Sequence, residues 1–257
     1  FELLLKPIHA RVLTDLPVRP VWTGVTEYEL FSSYWAFATS HARAQYDHPQ
    51  DRERLLALTG SLLGGRPRYP WRGRDLGATG LDDQAIGRLE EVGLVRWADA
   101  DRLVFSSDRM LNWAVAEYLC ARIVDEAWSP EQCDHELDRL ESIVTLQGEP
   151  VGRRLGYVFL DALWLLTREM PSDFVADLLL ARFRRLPHEW RGEGLWSKDL
   201  ATVGDGLLPA LEALALRSYD EERDWDIPQN IPFALAVIAA VDREAVASLT
   251  GRLLASG

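Results

Sequence analysis

Apolar residues recur at three- and four-residue intervals along most of the chain, and strict alternation of apolar and polar residues is rare. The three- to four-residue period is typical of helices that bury one face against a core. The pattern therefore predicts a mainly α protein with few strands.

In the first half of the chain, a short helix is predicted to start at Pro7 and to run to about Thr14. A second helix is predicted from Thr26, because Glu29 follows three residues later and the pair forms a capping box. Tyr28, Phe31 and Trp35 then form an apolar stripe at helical spacing, and we expect this helix to be buried.

Two more helices and a hairpin follow. One helix is predicted from Asp51 to about Leu63, and the next segment, RYPWRGRDLGATG, has the Gly and Pro content of a loop. A helix over LDDQAIGRLEEV should end at Gly93 in the left-handed conformation. Two short apolar runs in GLVRWADADRLVF flank an Asp-Ala-Asp turn, which predicts a β-hairpin.

The strand at the end of this hairpin leads directly into a long helix in RLVFSSDRMLNWAVAEYLCARIV. We expect Asp108 to be the N-cap of that helix, where its carboxylate accepts hydrogen bonds from free amides of the first turn. Trp113, like Trp35 and Trp164, lies on an apolar stripe and is predicted to be core.

Beyond Ser129 only amphipathic helices are predicted. Ser129 and Gln132 form a second capping box, with Pro130 at the first helical position. The helices are expected near 130–147, 150–169, 172–186, 197–217, 229–240 and 242–255.

The order of these elements predicts a winged-helix module with a short β-hairpin, followed by a HEAT-like α-helical array. The expected boundaries are 1–23 for a preceding segment, 24–124 for the winged-helix module and 125–257 for the array. A hinge is predicted at the irregular joint between Asp125 and Pro130.

Composition narrows the classes of function. The 257 residues carry a net charge of -12, with 40 acidic against 28 basic residues, which disfavours nucleic-acid binding. Cys120 and Cys133 form no CxxC pair, which favours a reducing, cytoplasmic compartment. No apolar run is long enough for a membrane span. The chain starts at Phe1 without Met, so we expect a segment of a longer protein.

The sequence contains none of the catalytic motifs that we considered. The glycine clusters GSLLGGRP and GDGLLP lack the GxxxxGK[ST] pattern of a phosphate loop. His135 and His188 are each followed by Glu but by no second His at helical spacing, so we expect no zincin site. Cys133 and His135 lie two apart on different faces of a helix, so we expect no other metal site there. No catalytic residue is predicted.

The run FSSDRMLNWAVAEYL resembles the end of the winged-helix module in STAND-type signalling NTPases, the group with NACHT and NB-ARC proteins. In that family a wing strand leads into F-x-H-D and a helix with an aromatic and small residues. Phe105, Asp108, Met110 and Trp113 match this pattern, and RLEEVGLVRW is similar to the family's entry into the wing. The family histidine falls on Ser107.

The resemblance covers roughly residues 3–124 and extends to LLLKPIHARVL, which is similar to the end of the family's small helical domain. It implies that Pro7 lies against the adenine of ATP or ADP and that Ser107 and Asp108 face the nucleotide. An upstream nucleotide-binding domain would hold the phosphates and magnesium. The helical array would then recognise a protein trigger or partner, with homo-oligomerisation on activation.

Two functions remain open from the sequence. The first is a regulatory, partner-sensing segment of a STAND-like ATPase that is not an enzyme by itself. The second is a DNA-binding winged-helix regulator with a helical effector or dimerisation domain. Its recognition helix would carry Asp82, Asp83, Glu90 and Glu91 against only Arg88, which opposes contact with phosphates.

Overall fold

The computed structural model describes residues 26–40, 50–61, 69–141, 158–185, 199–220, 235–240 and 242–256. These residues are mainly helical and include a small three-stranded antiparallel sheet, so the predicted fold class is confirmed. They divide into two compact units. The first holds the described residues up to Tyr118 together with Leu140, Glu141 and Val158, and the second holds the others.

Four helices of the first unit precede its hairpin: α1 (Glu27–Ser40), α2 (Gln50–Gly60), α3 (Gly73–Leu76) and α4 (Asp83–Glu91). The predicted capping box starts α1. The amide of Thr26 donates to Glu29 Oε2 at 2.9 Å, and the amide of Glu29 donates to Thr26 Oγ1 at 3.2 Å. Gly93 ends the α4 turn with φ of 75°, as predicted.

The sheet consists of β1 (Trp71–Arg72), β2 (Val95–Asp99) and β3 (Arg102–Phe105), in the order β1-β3-β2. The predicted hairpin is confirmed by the antiparallel pairing of β2 with β3. Its turn is closed locally, because the amide of Asp101 donates to Asp99 Oδ1 at 3.0 Å.

The segment RYPWRGRDLGATG was predicted to be a loop, and this prediction is wrong for part of it. Trp71 and Arg72 pair with Leu103 and Arg102 of β3, and a helical turn and a 3-10 turn follow directly. The pairing partner lies some thirty residues further along the chain, so local composition did not reveal it. With β1 in place, the described elements follow one another in the order α2, β1, α3, α4 and the β2–β3 hairpin.

Aromatic side chains fill the core of the first unit. The Trp71 ring is fully buried, with Tyr69 and Phe105 packed edge-on at centroid distances of 4.9 and 5.5 Å. The end of α2 packs closely against Tyr118 of the helix that follows the hairpin. A Cβ atom at Gly60 would lie 2.6 Å from the Tyr118 ring. A side chain at this position would have to displace that ring.

The long helix α5 (Asp108–Glu126) belongs to both units, since the division falls between Tyr118 and Leu119. It ends at Glu126, and the next residue, Ala127, has φ of 50°. The segment from Asp125 to Pro130 lies within the second unit, and its predicted role as a hinge stays a prediction.

Helices make up most of the described part of the second unit. Besides the end of α5 they are α6 (Pro130–Glu141), α7 (Val158–Glu169), α8 (Ser172–Arg185), α9 (Leu208–Asp220) and α10 (Arg243–Ser256), with residues 235–240 also helical. The last two residues of α6 and the first residue of α7 are counted with the first unit. The second predicted capping box is confirmed. The amide of Ser129 donates to Gln132 Oε1 at 2.8 Å, and the amide of Gln132 donates to Ser129 Oγ at 3.3 Å.

The single helix predicted over 197–217 is wrong. Helical residues 199–201 are followed by a turn, a 3-10 turn at Asp205–Leu207 and then α9. Gly204, with φ of 85° and ψ of -164°, adopts a backbone conformation that is essentially restricted to glycine. This glycine therefore interrupts the helical pattern.

Arginine pairs connect successive helices of the second unit. Arg185 of α8 contacts Asp134 and Asp138 of α6 at 2.7 and 2.8 Å. Arg217 of α9 contacts Asp173 of α8 at 2.9 Å and also pairs with Asp177. Arg252 of α10 contacts Glu212 of α9 at 2.8 Å. None of the described helices combines the length and apolar character needed to cross a membrane.

Candidate functional site

The predicted site is the junction between β3 and α5, and the structure gives its first residue a defined role. The amide of Met110 donates to Ser107 Oγ at 3.2 Å, and the amide of Leu111 donates to the Ser107 carbonyl oxygen at 3.1 Å. Ser107 is therefore the N-cap of α5, where a serine satisfies a backbone donor that the helix itself leaves free.

The prediction that Asp108 is the N-cap is wrong by one residue. Asp108 is the first helical residue and is exposed, and its carbonyl oxygen accepts from Asn112 Nδ2 at 2.6 Å. Its carboxylate still lies in the first turn, where the helix dipole favours negative charge. Both serine and aspartate are good N-caps, and the exit of β3 decides which one the helix uses.

Ser106 holds the end of β3 against the residues that follow α4. Its amide donates to the Leu94 carbonyl oxygen at 3.0 Å, and its hydroxyl donates to the Gly93 carbonyl oxygen. The two adjacent serines therefore have different tasks. Ser106 closes the strand side of the junction, and Ser107 opens the helix.

Arg109 follows this junction and lies in an aromatic cluster formed by α1 and α5. Its guanidinium carbon is 4.4 Å from the Phe31 ring centroid, 5.9 Å from that of Trp113 and 6.0 Å from that of Tyr28. Its Nε donates to Glu27 Oε1 at 3.0 Å, and the side chain is 11% exposed. Cation–π contacts and an ion pair thus hold the first turn of α5 against α1.

Sequence reasoning did not single out Arg109. A signal was present, because Trp113 lies four residues after Arg109, on the same helical face. Glu27 and Phe31, however, come from a helix about eighty residues earlier. Only the packing of α1 on α5 brings them to the guanidinium.

The face that α4 presents to solvent is acidic. Asp82, Asp83 and Glu91 are exposed, whereas Arg88 is half-buried. Asp82 caps the helix by accepting from the Ala85 amide at 2.7 Å, and this hydrogen bond lowers the pKa of the Asp82 carboxyl group. A helix with this surface is poorly suited to the phosphates of a DNA groove.

The structure thus keeps Ser107 and Asp108 together at the start of α5, and Pro7 lies outside the described residues. Within the described ranges, no three His, Cys, Asp or Glu side chains form a group that could hold a metal ion. No family model, no curated protein and no solved structure matches the chain.

Proposed function

We propose that the chain is the regulatory, partner-sensing segment of a STAND-like signalling ATPase, with a nucleotide-binding domain upstream. In this proposal the winged-helix module closes on ATP or ADP held mainly by that domain. The helical array recognises a protein trigger, and activated copies assemble with one another. Such a switch requires two states with different contacts to the nucleotide.

The observation that supports this proposal most is the chemistry of the junction at Ser107. The Oγ atom accepts from the Met110 amide, and no acceptor among the described residues receives its hydroxyl hydrogen. A hydroxyl can accept and donate at the same time, so Ser107 can cap α5 and donate to a phosphate oxygen. The Asp108 carboxylate can only accept hydrogen bonds. It could therefore accept from a ribose hydroxyl, but its negative charge would repel a phosphate.

The acidic outer face of α4 favours this proposal over a DNA-binding regulator. Asp82, Asp83 and Glu91 would oppose a nucleic-acid backbone in the position of a recognition helix. Salt-dependent binding of the chain to duplex DNA at low ionic strength would revive the DNA-binding function.

The decisive experiment measures the release of fluorescently labelled ADP from the protein that includes the sequence before Phe1. Ser107→Ala removes both the cap and the donor, and we expect it to release ADP several-fold faster. Ser107→Thr keeps both groups and should release ADP at the wild-type rate.

Ser107→Asp separates the two roles. Aspartate is a good N-cap, but it cannot donate to a phosphate and adds negative charge. We expect fast release from this variant as well. Wild-type release rates in both Ser107→Ala and Ser107→Asp would rule out contact between Ser107 and the nucleotide. The chain that starts at Phe1 should hydrolyse no ATP alone.

A further inference from the structure

The three-stranded sheet of the first unit has a buried face, which carries Trp71, and an opposite face that carries arginines. In the strand register, Arg72 lies opposite Arg102, and Arg96 lies opposite Val104. Residues opposite each other in antiparallel strands share a face, and so do residues two apart in one strand. Arg72, Arg96 and Arg102 therefore lie on the same side of the sheet, which we call the arginine face.

Three acidic side chains near the end of this sheet have other contacts. Asp99 contacts Arg102 at 3.4 Å, and Asp75 lies 4.0 Å from Arg74. Asp101 Oδ1 accepts from a backbone amide at the start of α3 at 3.2 Å. Of the three members of the arginine face, only Arg102 therefore has an acidic partner among the described residues.

Arg72 and Arg96 are both exposed, and neither forms an ion pair with a described residue. Like charges directly opposite each other in a sheet repel, so the placement of Arg72 opposite Arg102 lowers stability. An acidic group brought to this face from outside would relieve that repulsion. The arginine face thus carries positive charge that the described part of the chain does not neutralise.

The outer side of α4 carries negative charge that is also not neutralised. Asp83, Gly87 and Glu91 follow one another at intervals of four residues and are all exposed, so they form one stripe along the helix. Neither Asp83 nor Glu91 forms an ion pair with a described residue. Asp82 does not belong to this acidic stripe, because it caps α4 and interacts electrostatically with two arginines.

Gly87 leaves space between the two carboxylates of the acidic stripe. A Cβ atom at this position would meet no other atom within 4 Å. Glycine inside a helix is less favourable than alanine, and no close packing against other residues requires it here. Another surface can therefore approach the backbone of α4 directly between Asp83 and Glu91.

The two charged surfaces match in spacing. Asp83 and Glu91 are eight residues apart in α4, which is about 12 Å at the helical rise per residue. Arg72 and Arg96 lie on the two outer strands and are displaced by two residues along the sheet, which also gives about 12 Å. One guanidinium can therefore meet each carboxylate while β3, between the two arginines, lies over Gly87.

We propose that the arginine face of one copy binds the acidic stripe of α4 in a second copy. The two patches are different surfaces of the same unit, so the contact is heterologous and can repeat from copy to copy. The net charge of -12 opposes association at long range, but physiological salt screens charges more than about 8 Å apart and leaves direct contacts. This inference names the surfaces through which copies assemble and rests on the assembly proposed above.

Sedimentation equilibrium of the 257-residue chain measures this contact without nucleotide. The chain that starts at Phe1 lacks the proposed upstream domain, so closure on a nucleotide does not restrain it. We expect the weight-average mass to rise with protein concentration at physiological salt. It should return to the mass of the monomer in about 1 M salt, where the screening length falls to about 3 Å.

Charge reversal assigns the contact to the two surfaces. Arg96→Glu and Glu91→Arg should each weaken self-association about tenfold or more, because each brings like charges together. An equal mixture of the two variants should associate like the wild type, because the reversed charges attract each other across the contact. Arg243→Glu reverses an exposed charge of α10 and should also associate like the wild type.

Gly87→Gln tests the close approach separately from the charges. Glutamine favours a helix more than glycine does, so this variant should unfold at a higher urea concentration than the wild type. Its side chain would fill the space between Asp83 and Glu91, so we expect self-association to weaken several-fold. A variant that is more stable but associates less shows that the effect comes from the contact and not from the fold.

A monomeric mass at every concentration, full self-association of Arg96→Glu, Glu91→Arg or Gly87→Gln, or no recovery in the mixture would overturn the proposal. Binding of duplex DNA that Arg96→Glu abolishes would assign the arginine face to a nucleic acid and overturn it as well. Circular dichroism checks that each variant is folded, and Arg96→Gln replaces Arg96→Glu if that variant is not. Because the assay contains no nucleotide, its failure leaves the ADP-release result standing, and a failed ADP-release test leaves the assembly result standing.

Discussion

The start of α5 shows how two neighbouring side chains divide between capping and charge. Ser107 accepts from the Met110 amide, while the Asp108 side chain lies exposed in the first turn. A lost N-cap typically costs about 1 kcal/mol, whereas a surface charge near a helix end contributes about 0.3 to 1 kcal/mol. The larger share of the stability of this helix start therefore belongs to Ser107.

We expect Ser107→Ala to lower the free energy of unfolding by about 1 kcal/mol and Asp108→Asn to lower it by less. Urea denaturation followed by circular dichroism measures both. Ser107→Asp is the matched control, because it restores an acceptor for the Met110 amide and should unfold close to the wild type. If Asp108→Asn lowered the free energy of unfolding more than Ser107→Ala does, Asp108 and not Ser107 would be the N-cap.

Local rules predicted this helix start to within one residue, and they predicted two others correctly. The capping boxes at Thr26 and at Ser129 depend on residues three apart, so sequence alone specifies them. The choice between Ser107 and Asp108 depends on where β3 releases the chain. That position is set by pairing with β2 and by the bond from Ser106 to Gly93.

At the scale of elements, the contacts between helices of the second unit differ greatly in burial. Asp134 of α6 is only 2% exposed and meets Arg182 at 3.5 Å and Arg185 at 2.7 Å. The pair between Glu212 and Arg252 is solvent-exposed by comparison. Removing one member of a buried pair leaves a buried charge uncompensated, whereas an exposed pair contributes little.

Asp134→Asn should therefore lower the free energy of unfolding by about 3 kcal/mol, because it removes a buried carboxylate that pairs with both Arg182 and Arg185. Glu212→Gln is the control and should cost less than about 1 kcal/mol. Thermal and urea unfolding of the two variants side by side measure the contrast. Equal losses would mean that solvent screens Asp134 as effectively as it screens Glu212.

The elements that were not predicted from the sequence include those that form only beside a partner distant in the chain. β1 is only two residues long, and Trp71 and Arg72 are strand residues because β3 lies beside them. The break before α9 was missed because leucines and alanines on both sides of Gly204 keep a helical period. The hairpin, in contrast, was predicted because its turn residues and its apolar runs are adjacent in the chain.

At the scale of the whole molecule, both cysteines are buried in the second unit. Cys133 is 1% exposed, and burial raises the pKa of its thiol from 9.0 to about 12, with the nearby Asp134 adding to the shift. The thiol ionises more readily in the unfolded chain than in the folded one. Its contribution to stability is therefore full below pH 9.0 and is lost progressively above it.

We expect the wild type to lose more stability than Cys133→Ala between pH 9 and pH 12, by roughly 1.4 kcal/mol for each pH unit in that window. Urea denaturation of both proteins at a series of alkaline pH values measures the difference. Parallel stability curves would show that the thiol ionises equally in both states. In native buffer near neutral pH, Cys133 should react with thiol reagents far more slowly than in denaturant.

The helix α5 starts in the first unit and ends in the second. A cut in the chain at this boundary would therefore divide a helix. A cut after Tyr118 would leave eleven helical residues (108–118) on one piece and eight (119–126) on the other. Both lengths fall below the roughly 12 to 15 residues that an isolated helix needs in water. Proteolysis at this point would therefore leave each unit with a piece of α5 that is too short to be helical by itself.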